Sequence, residues 1–363
     1  MRRVGRIAAV AGGVIAVGLI ALVFRTLNTA GEFTQVIPGY SGVCHVIRGV
    51  TGAEDIVIDR AAGLAFISAT DRRPLRPGRP AFKDGIYLFW LAHPGLGVTR
   101  LSGTPRDFHP HGIDLYRAPD GSLTLMAVNH RASGEASIDS FAVSEEMDAH
   151  GVPAVALSER DSVRSSLIFG PNDVAAVGRD RFYVTNDHGS KTGFGRFLET
   201  WLMLPRANVV YYDGNVPRVV ATGLRFANGI AVSHDGMKLY VAETLGRDIL
   251  TYRRQPGSGG LSFESTFPLT AAPDNIDVDG AGDLWVAGHP KLFALLRYGE
   301  DPTKPSPSEV FEVKTADGIP RSLRSVFTDM GHEIGASSVG ASVDGQLLIG
   351  SVFDPKFLDC ARR

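Results

Sequence analysis

With 363 residues, 42 of them glycine and 21 proline, the chain suits one large globular body rich in turns rather than a small scaffold. Lysine plus arginine number 37 against 39 for aspartate plus glutamate, a formal charge of -2, so no bulk field draws it to nucleic acid or to an acidic surface. Nucleic acid is excluded as a partner on this ground.

Arg2, Arg3 and Arg6 precede an uncharged run over residues 7–24, followed by Arg25. The run is long enough to approach the thickness of a bilayer core. Its basic flank should stay cytoplasmic and send the rest of the chain across. We expect a signal anchor over residues 1–27, a linker over 28–40 and an exported body over 41–363. Asn28-Thr29-Ala30 is a poor cleavage site, which favours an uncleaved membrane anchor; cleavage would make the protein secreted. The two cysteines, Cys44 and Cys360, flank this body. An exported compartment permits a disulfide between them, and two unrelated buried thiols are the alternative.

Beyond residue 41, short β-branched and aromatic runs bounded by Gly, Asp, Asn and Pro replace helical periodicity. One unit recurs six times: a polar pair, an apolar strand, a turn rich in Asp and Gly, and a second strand. The pairs are Glu54-Asp55, His111-Gly112, Asn172-Asp173, Asn228-Gly229, Asp274-Asn275 and Ser337-Ser338. Repeats 46 to 63 residues apart, built from strands, predict an all-β six-bladed propeller. Equivalent positions then stand in one ring around the tunnel, so the polar pairs converge at one end of it.

Carboxylates and carboxamides without cysteine select a hard cation, and irregular ligation by several protein oxygens suits Ca²⁺ better than Mg²⁺. The expected ligands are Glu54, Asn172, Asn228, Asp274 and Asn275, two anionic and three neutral. Any one of them alone reads equally as a turn or capping residue. Asp55 and Asp173 fall one position further along and point the other way by strand alternation. They serve either a second, deeper calcium or plain solvated turns. The segment from Asp277 to Asp283 imitates the start of an EF-hand loop but lacks its later Glu and its helices.

His111 opens the second repeat and His130 ends that repeat's second strand, where a neutral imidazole suits removal of a proton from water near pH 7. Each alone also reads as a structural histidine. His289 follows the fifth repeat's second strand and is expected at the cavity mouth. The sequence carries no Gly-x-Ser-x-Gly elbow, no His-Glu-x-x-His site and no phosphate-cradling Gly-x-x-x-x-Gly-Lys loop, which leaves metal-assisted chemistry.

At these residues the chain resembles the serum paraoxonase and arylesterase family. The matching stretches are GAED at 52–55, HGI at 111–113, VNH at 128–130, NDVAAVG at 172–178, TNDH at 185–188, FANGI at 226–230, DNI at 274–276, LWVAGHP at 284–290 and LLIGSVF at 347–353. The resemblance implies a calcium-dependent hydrolase of lactones and aryl esters with two ions. A catalytic ion would take Glu54, Asn172, Asn228, Asp274 and Asn275; a structural one would take Asp55, Asp173 and the main-chain oxygen of Ile113. It further implies a His111–His130 dyad, a Cys44–Cys360 disulfide and an uncleaved amino end.

Two departures stand out. The family's free cysteine is Gly288 here, which removes any role for that thiol. The loop TDRRPLRPGRPAF carries Arg72, Arg73, Arg76 and Arg79; such a run reads as solvated, and over the tunnel it would favour acidic substrates. Residues 194–204 are expected either on a membrane surface or as a covering helix. The competing functions are a gluconolactonase-like propeller with one metal and a non-catalytic, calcium-stabilised exported binding propeller.

Overall fold

The computed structural model describes residues 2–73, 82–147 and 153–362. Helix α1 (Arg2–Thr29) carries the apolar amino-terminal run. Past it, the described residues form six four-stranded antiparallel sheets. Five of these each use one continuous stretch of chain, in chain order. Their innermost strands are Ala53–Asp59, Pro110–Arg117, Pro171–Ala176, Ala227–Val232 and Ala272–Val278. The sixth sheet is built from both ends of the body. Its inner strands are Ser337–Val343, Gln346–Ser351 and Lys356–Ala361, and its outermost is Val43–Arg48.

Each innermost strand packs against the innermost strands of the sheets on either side, and the sixth closes on the first. The protein is a six-bladed β-propeller. Cys44 lies opposite Cys360 in the pairing of the first strand with the last, and the two are disulfide-bonded. Pairing and bond together lock the circle.

The core lies between blades rather than within them. Second strands such as Leu64–Ala69 and Leu284–His289 are buried along their whole length; outer strands such as Gly260–Pro268 are largely exposed. Phe66 and Leu88 of the first blade meet Leu125 and Phe141 of the second; Phe89 of the first meets Phe357 of the sixth edge-on, 5.2 Å between centroids. Each such buried aromatic contributes about 2–3 kcal/mol through apolar burial.

At the start of every innermost strand the pairing register breaks, at Ala53/Asp55, Pro110/Ile113, Pro171/Val174, Ala227/Ile230, Pro273/Ile276 and Ser337/Gly340. A β-bulge there leaves residues off the ladder and re-aims their side chains. Five of the breaks fall at the polar pairs. The sixth corrects its repeat: its pair is Ser338-Val339, one residue later than the sequence pattern Ser337-Ser338 suggests.

Two further helices, α2 (Gly193–Leu202) and α3 (Leu292–Glu300), lie in connections that follow second strands, on the face where the polar pairs begin. The end of α1 docks there. The carbonyl of Thr29 accepts from Arg247, and that of Ala30 from the Leu292 amide. Gly31 has φ +74 and leaves no room for a Cβ, which would fall 1.9 Å from the Pro290 oxygen. Residues 28–40, expected as a linker, run over the propeller surface: Gly39 bridges to Thr328, and Tyr40 donates to the Ala361 carbonyl.

Candidate metal centre

The bulges bring Glu54, Asn172, Asn228, Asp274 and Asn275 together as one buried ring, each at most 6% exposed. Their amide nitrogens and carboxylates are partly committed. Asn228 Nδ2 donates to Thr244 Oγ1, and Asn275 Nδ2 donates to both the main-chain oxygen and Oε1 of Glu54. His289 Nε2 lies 2.9 Å from Asp274 Oδ2. What remains is a set of buried oxygens with no hydrogen-bond partner: Glu54 Oε2, Asn172 Oδ1, Asn228 Oδ1 and Asn275 Oδ1, joined by Ser338 Oγ. Burying a polar group unpaired costs about 1–3 kcal/mol. Buried acceptors left unpaired at equivalent positions of neighbouring blades have the chemistry that would suit a hard cation. Among the described residues no three His, Cys, Asp or Glu side chains form a metal cluster by themselves. The set depends on asparagine oxygens, as hard-cation ligation does and zinc ligation does not.

One level deeper, Asp55 Oδ2 accepts the Ile113 amide of the next blade, and Asp173 Oδ2 accepts the Ile230 amide in the same way, each at 2.8 Å. Their Oδ1 atoms take the Ile56 and Val174 amides. Glycine at positions 112 and 229 makes this possible. A Cβ on Gly112 would stand 2.2 Å from Asp173 Oδ1, and one on Gly229 2.5 Å from the Asp274 carbonyl. Burial first, and then the neighbouring charge of Glu54, pushes Asp55 well above the usual carboxylate range. Burial and then Asp55 do the same to Asp173. Ile113 thus meets Asp55 through its amide. Asp55, Ile113 and Asp173 also bound a tunnel cavity of about 350 Å³ that runs toward the opposite face.

His130 Nε2 is 3.1 Å from His111 Nδ1, and His111 Nε2 is 3.4 Å from Glu54 Oε1. The two imidazoles and the ring carboxylate thus form one chain. Desolvation, with the charges of His111 and Arg72, lowers the pKa of His130, whose outer edge remains exposed, so it is neutral at physiological pH. Burial opposes ionisation of Glu54, but His111, Arg72 and the Asn275 amide outweigh it and keep it at about 2.

Three contributors escape sequence reasoning in whole or part. Ser338 is masked by the one-residue offset of its repeat. His289, expected at the mouth, is instead buried against Asp274, 2% exposed. Arg72 sits in a charge run that reads as solvent-facing, yet it acts on Glu54 and Asp274. Arg76 and Arg79 lie outside the described residues. Residues expected as a surface or covering helix form α2, capped by Thr192, with Glu199 buried against the Gly189 amide and Phe194, Phe197 and Trp201 exposed. Both cysteines are in the disulfide, so no thiol replaces the one lost at Gly288.

A family model described as arylesterase matches residues 36–361. The chain belongs to the arylesterase family. It is 33% identical to serum paraoxonase/arylesterase 2 of Gallus gallus over 96% of this chain and 98% of that protein. It is 34% identical to the Homo sapiens protein of the same name, over 85% and 86%. Solved structures agree on the fold: a luciferin-regenerating enzyme superposes with TM-score 0.51 at 15% identity over 89% of this chain and 96% of its own. A structure described as a gluconolactonase gives 0.50 at 15% identity over 91% and 95%. Membership makes this arylesterase-family propeller a hydrolase of the ester and lactone class. Its disulfide and its apolar helix, exposed through the stretch Gly12–Thr29, are consistent with export.

Proposed function

We propose that the protein is a calcium-dependent lactonase and aryl esterase, held at a membrane by α1 with its propeller on the exported side. The observation that carries this reading is the set of orphaned, buried oxygens of Glu54, Asn172, Asn228, Asn275 and Ser338 next to the linked His111–His130 pair. Glu54, Asn172, Asn228, Asp274 and Asn275 would hold a catalytic ion; Asp55, Asp173 and the main chain of Ile113 would hold a structural one. Calcium at the upper site would supply electrophilic polarisation of the ester or lactone carbonyl and stabilise the charge that develops on its oxygen.

The residues of the chain do the rest. His111 takes a proton from water near the Glu54 carboxylate, and its Nδ1 faces His130, which fixes the ring. Glu54 shares the task by holding that water through Oε1. His289 keeps Asp274 oriented, as ligand carboxylates commonly require. The neutrality of His130 keeps a second positive charge away from the metal ring.

The mouth of the site shares its face with the end of α1 and with α2 and α3. Phe194 is 73% exposed, and Phe197, Trp201 and Leu296 are exposed beside it. A basic-flanked apolar helix and an aromatic rim on one face fit a propeller whose mouth is turned to the lipid surface. Hydrolysis of phenyl acetate and a medium-chain lactone, measured with and without chelator, tests the reading. Loss of turnover on chelation and recovery with calcium is expected; rates indifferent to chelator would refute it.

A further inference from the structure

Arg72 and Arg73 begin the connection after the second strand of the first blade, over the mouth of the ring. Among the described residues, Arg60, Arg117, Arg131, Arg179 and Arg324 each pair with a carboxylate. Neither Arg72 nor Arg73 does. Both guanidinium groups are held by main-chain carbonyls instead. Arg72 donates to Gly52, Thr70 and Pro110, the last being the residue before His111, and it senses the charges of Glu54 and Asp274. Arg73 donates to the Phe353 and Tyr298 carbonyls and stacks over both rings, 4.5 Å from the Tyr298 centroid and 5.2 Å from that of Phe353. Its Nε is buried and has no partner.

Two guanidinium groups fixed side by side in the chain without an ion-pair partner can receive an anion. Backbone acceptors and aromatic faces orient such groups without neutralising them, which leaves their charge for a ligand. With one divalent ion, Glu54 and Asp274 would cancel at the ring; Asp84 is the further carboxylate that acts on Arg72, and it makes no ion pair with either arginine. We infer that Arg72 and Arg73 select lactones or esters that carry a carboxylate away from the bond to be cleaved. This rests on the hydrolase reading above. The anion docks on the arginines while the scissile carbonyl reaches the ring, and hydrolysis joins the water oxygen to the acyl carbon as the alcohol or phenol leaves with a proton.

The test compares 4-acetoxybenzoate with its neutral methyl ester on the calcium-loaded, full-length protein. The wild type is expected to favour the anion by about 10-fold or more in kcat/KM, in line with one charge-assisted pair. That preference should shrink as salt rises from about 20 to about 500 mM, because exposed charge attraction is screened. R73Q and R72Q should each cut the ratio about 10-fold, and R73K should restore part of it. Calorimetric binding of 4-hydroxybenzoate, which undergoes no cleavage, should weaken about 10-fold in R73Q. Equal rates on both esters without salt dependence, or an undiminished ratio in R73Q, would overturn the inference and leave the hydrolase reading intact. Turnover of neither ester would sink the hydrolase reading instead, and the 4-hydroxybenzoate comparison would then decide the anion site alone. The wild-type salt series stands even where a variant fails to fold.

Discussion

Glu54 touches His111 and Asn275 through one oxygen and leaves the other buried without a partner, so it stands at the junction of the metal ring and the proton path. Replacing His111 with Gln keeps a hydrogen-bonding side chain but removes the base, and kcat should fall about 10²–10⁴-fold. His130→Gln should fall less, because it acts through His111. Wild-type kcat in either variant, measured on phenyl acetate, would remove the dyad from the mechanism. Asp55 and Asp173 supply a pH prediction. Burial raises both in the protein alone, helped by Glu54 at Asp55 and by Asp55 at Asp173, and a bound cation favours their ionised forms. Calcium binding should therefore release protons, and apparent affinity should rise with pH, readable in weakly buffered calcium titrations. The position of these residues was legible in the sequence because each recurs at the same point of its repeat. Ser338 was not, since Ser337-Ser338 offers two registers and only strand pairing chooses between them. Arg72 was not either, because spacing alone does not tell a solvated charge from one folded over a cavity.

The element that makes the site is the bulged start of each innermost strand. Strand alternation predicts opposite directions for Glu54 and Asp55; the bulge realises this as two levels, with Glu54 in the ring and Asp55 capping the Ile113 amide of the next blade. Asp114 and Asp277 repeat the stitch lower down, accepting the Ala176 and Ser342 amides. This cross-blade stitching has no sequence signal of its own, because an Asp in a strand reads as a turn residue. Gly112→Ala tests the close approach of blades directly. With its Cβ 2.2 Å from Asp173 Oδ1, the variant should lose about 1–3 kcal/mol by overpacking. It should also bind calcium more weakly than Gly280→Ala, whose Cβ would meet nothing within 4 Å. Equal calcium affinity in the two variants would argue against the role given to Gly112.

At the scale of the molecule, the fold was readable from six repeats of a strand pair, and closure from cysteines at both ends. The docking of residues 28–40 was not, since it depends on contacts with the fourth, fifth and sixth blades far along the chain. Cys44 and Cys360 close a loop spanning 316 residues, so the Cys44→Ala/Cys360→Ala variant should lose up to about 5 kcal/mol on the chain-entropy model. Denaturant unfolding with and without the bond measures it. In the proposed mechanism, calcium in the tunnel serves hydrolysis by this propeller. Metal content and phenyl acetate turnover, followed together through chelation and calcium readdition, test it most directly. Two calcium ions per chain, loss of activity with the more weakly held ion, and recovery on readdition are expected. Full activity in calcium-free protein would contradict it.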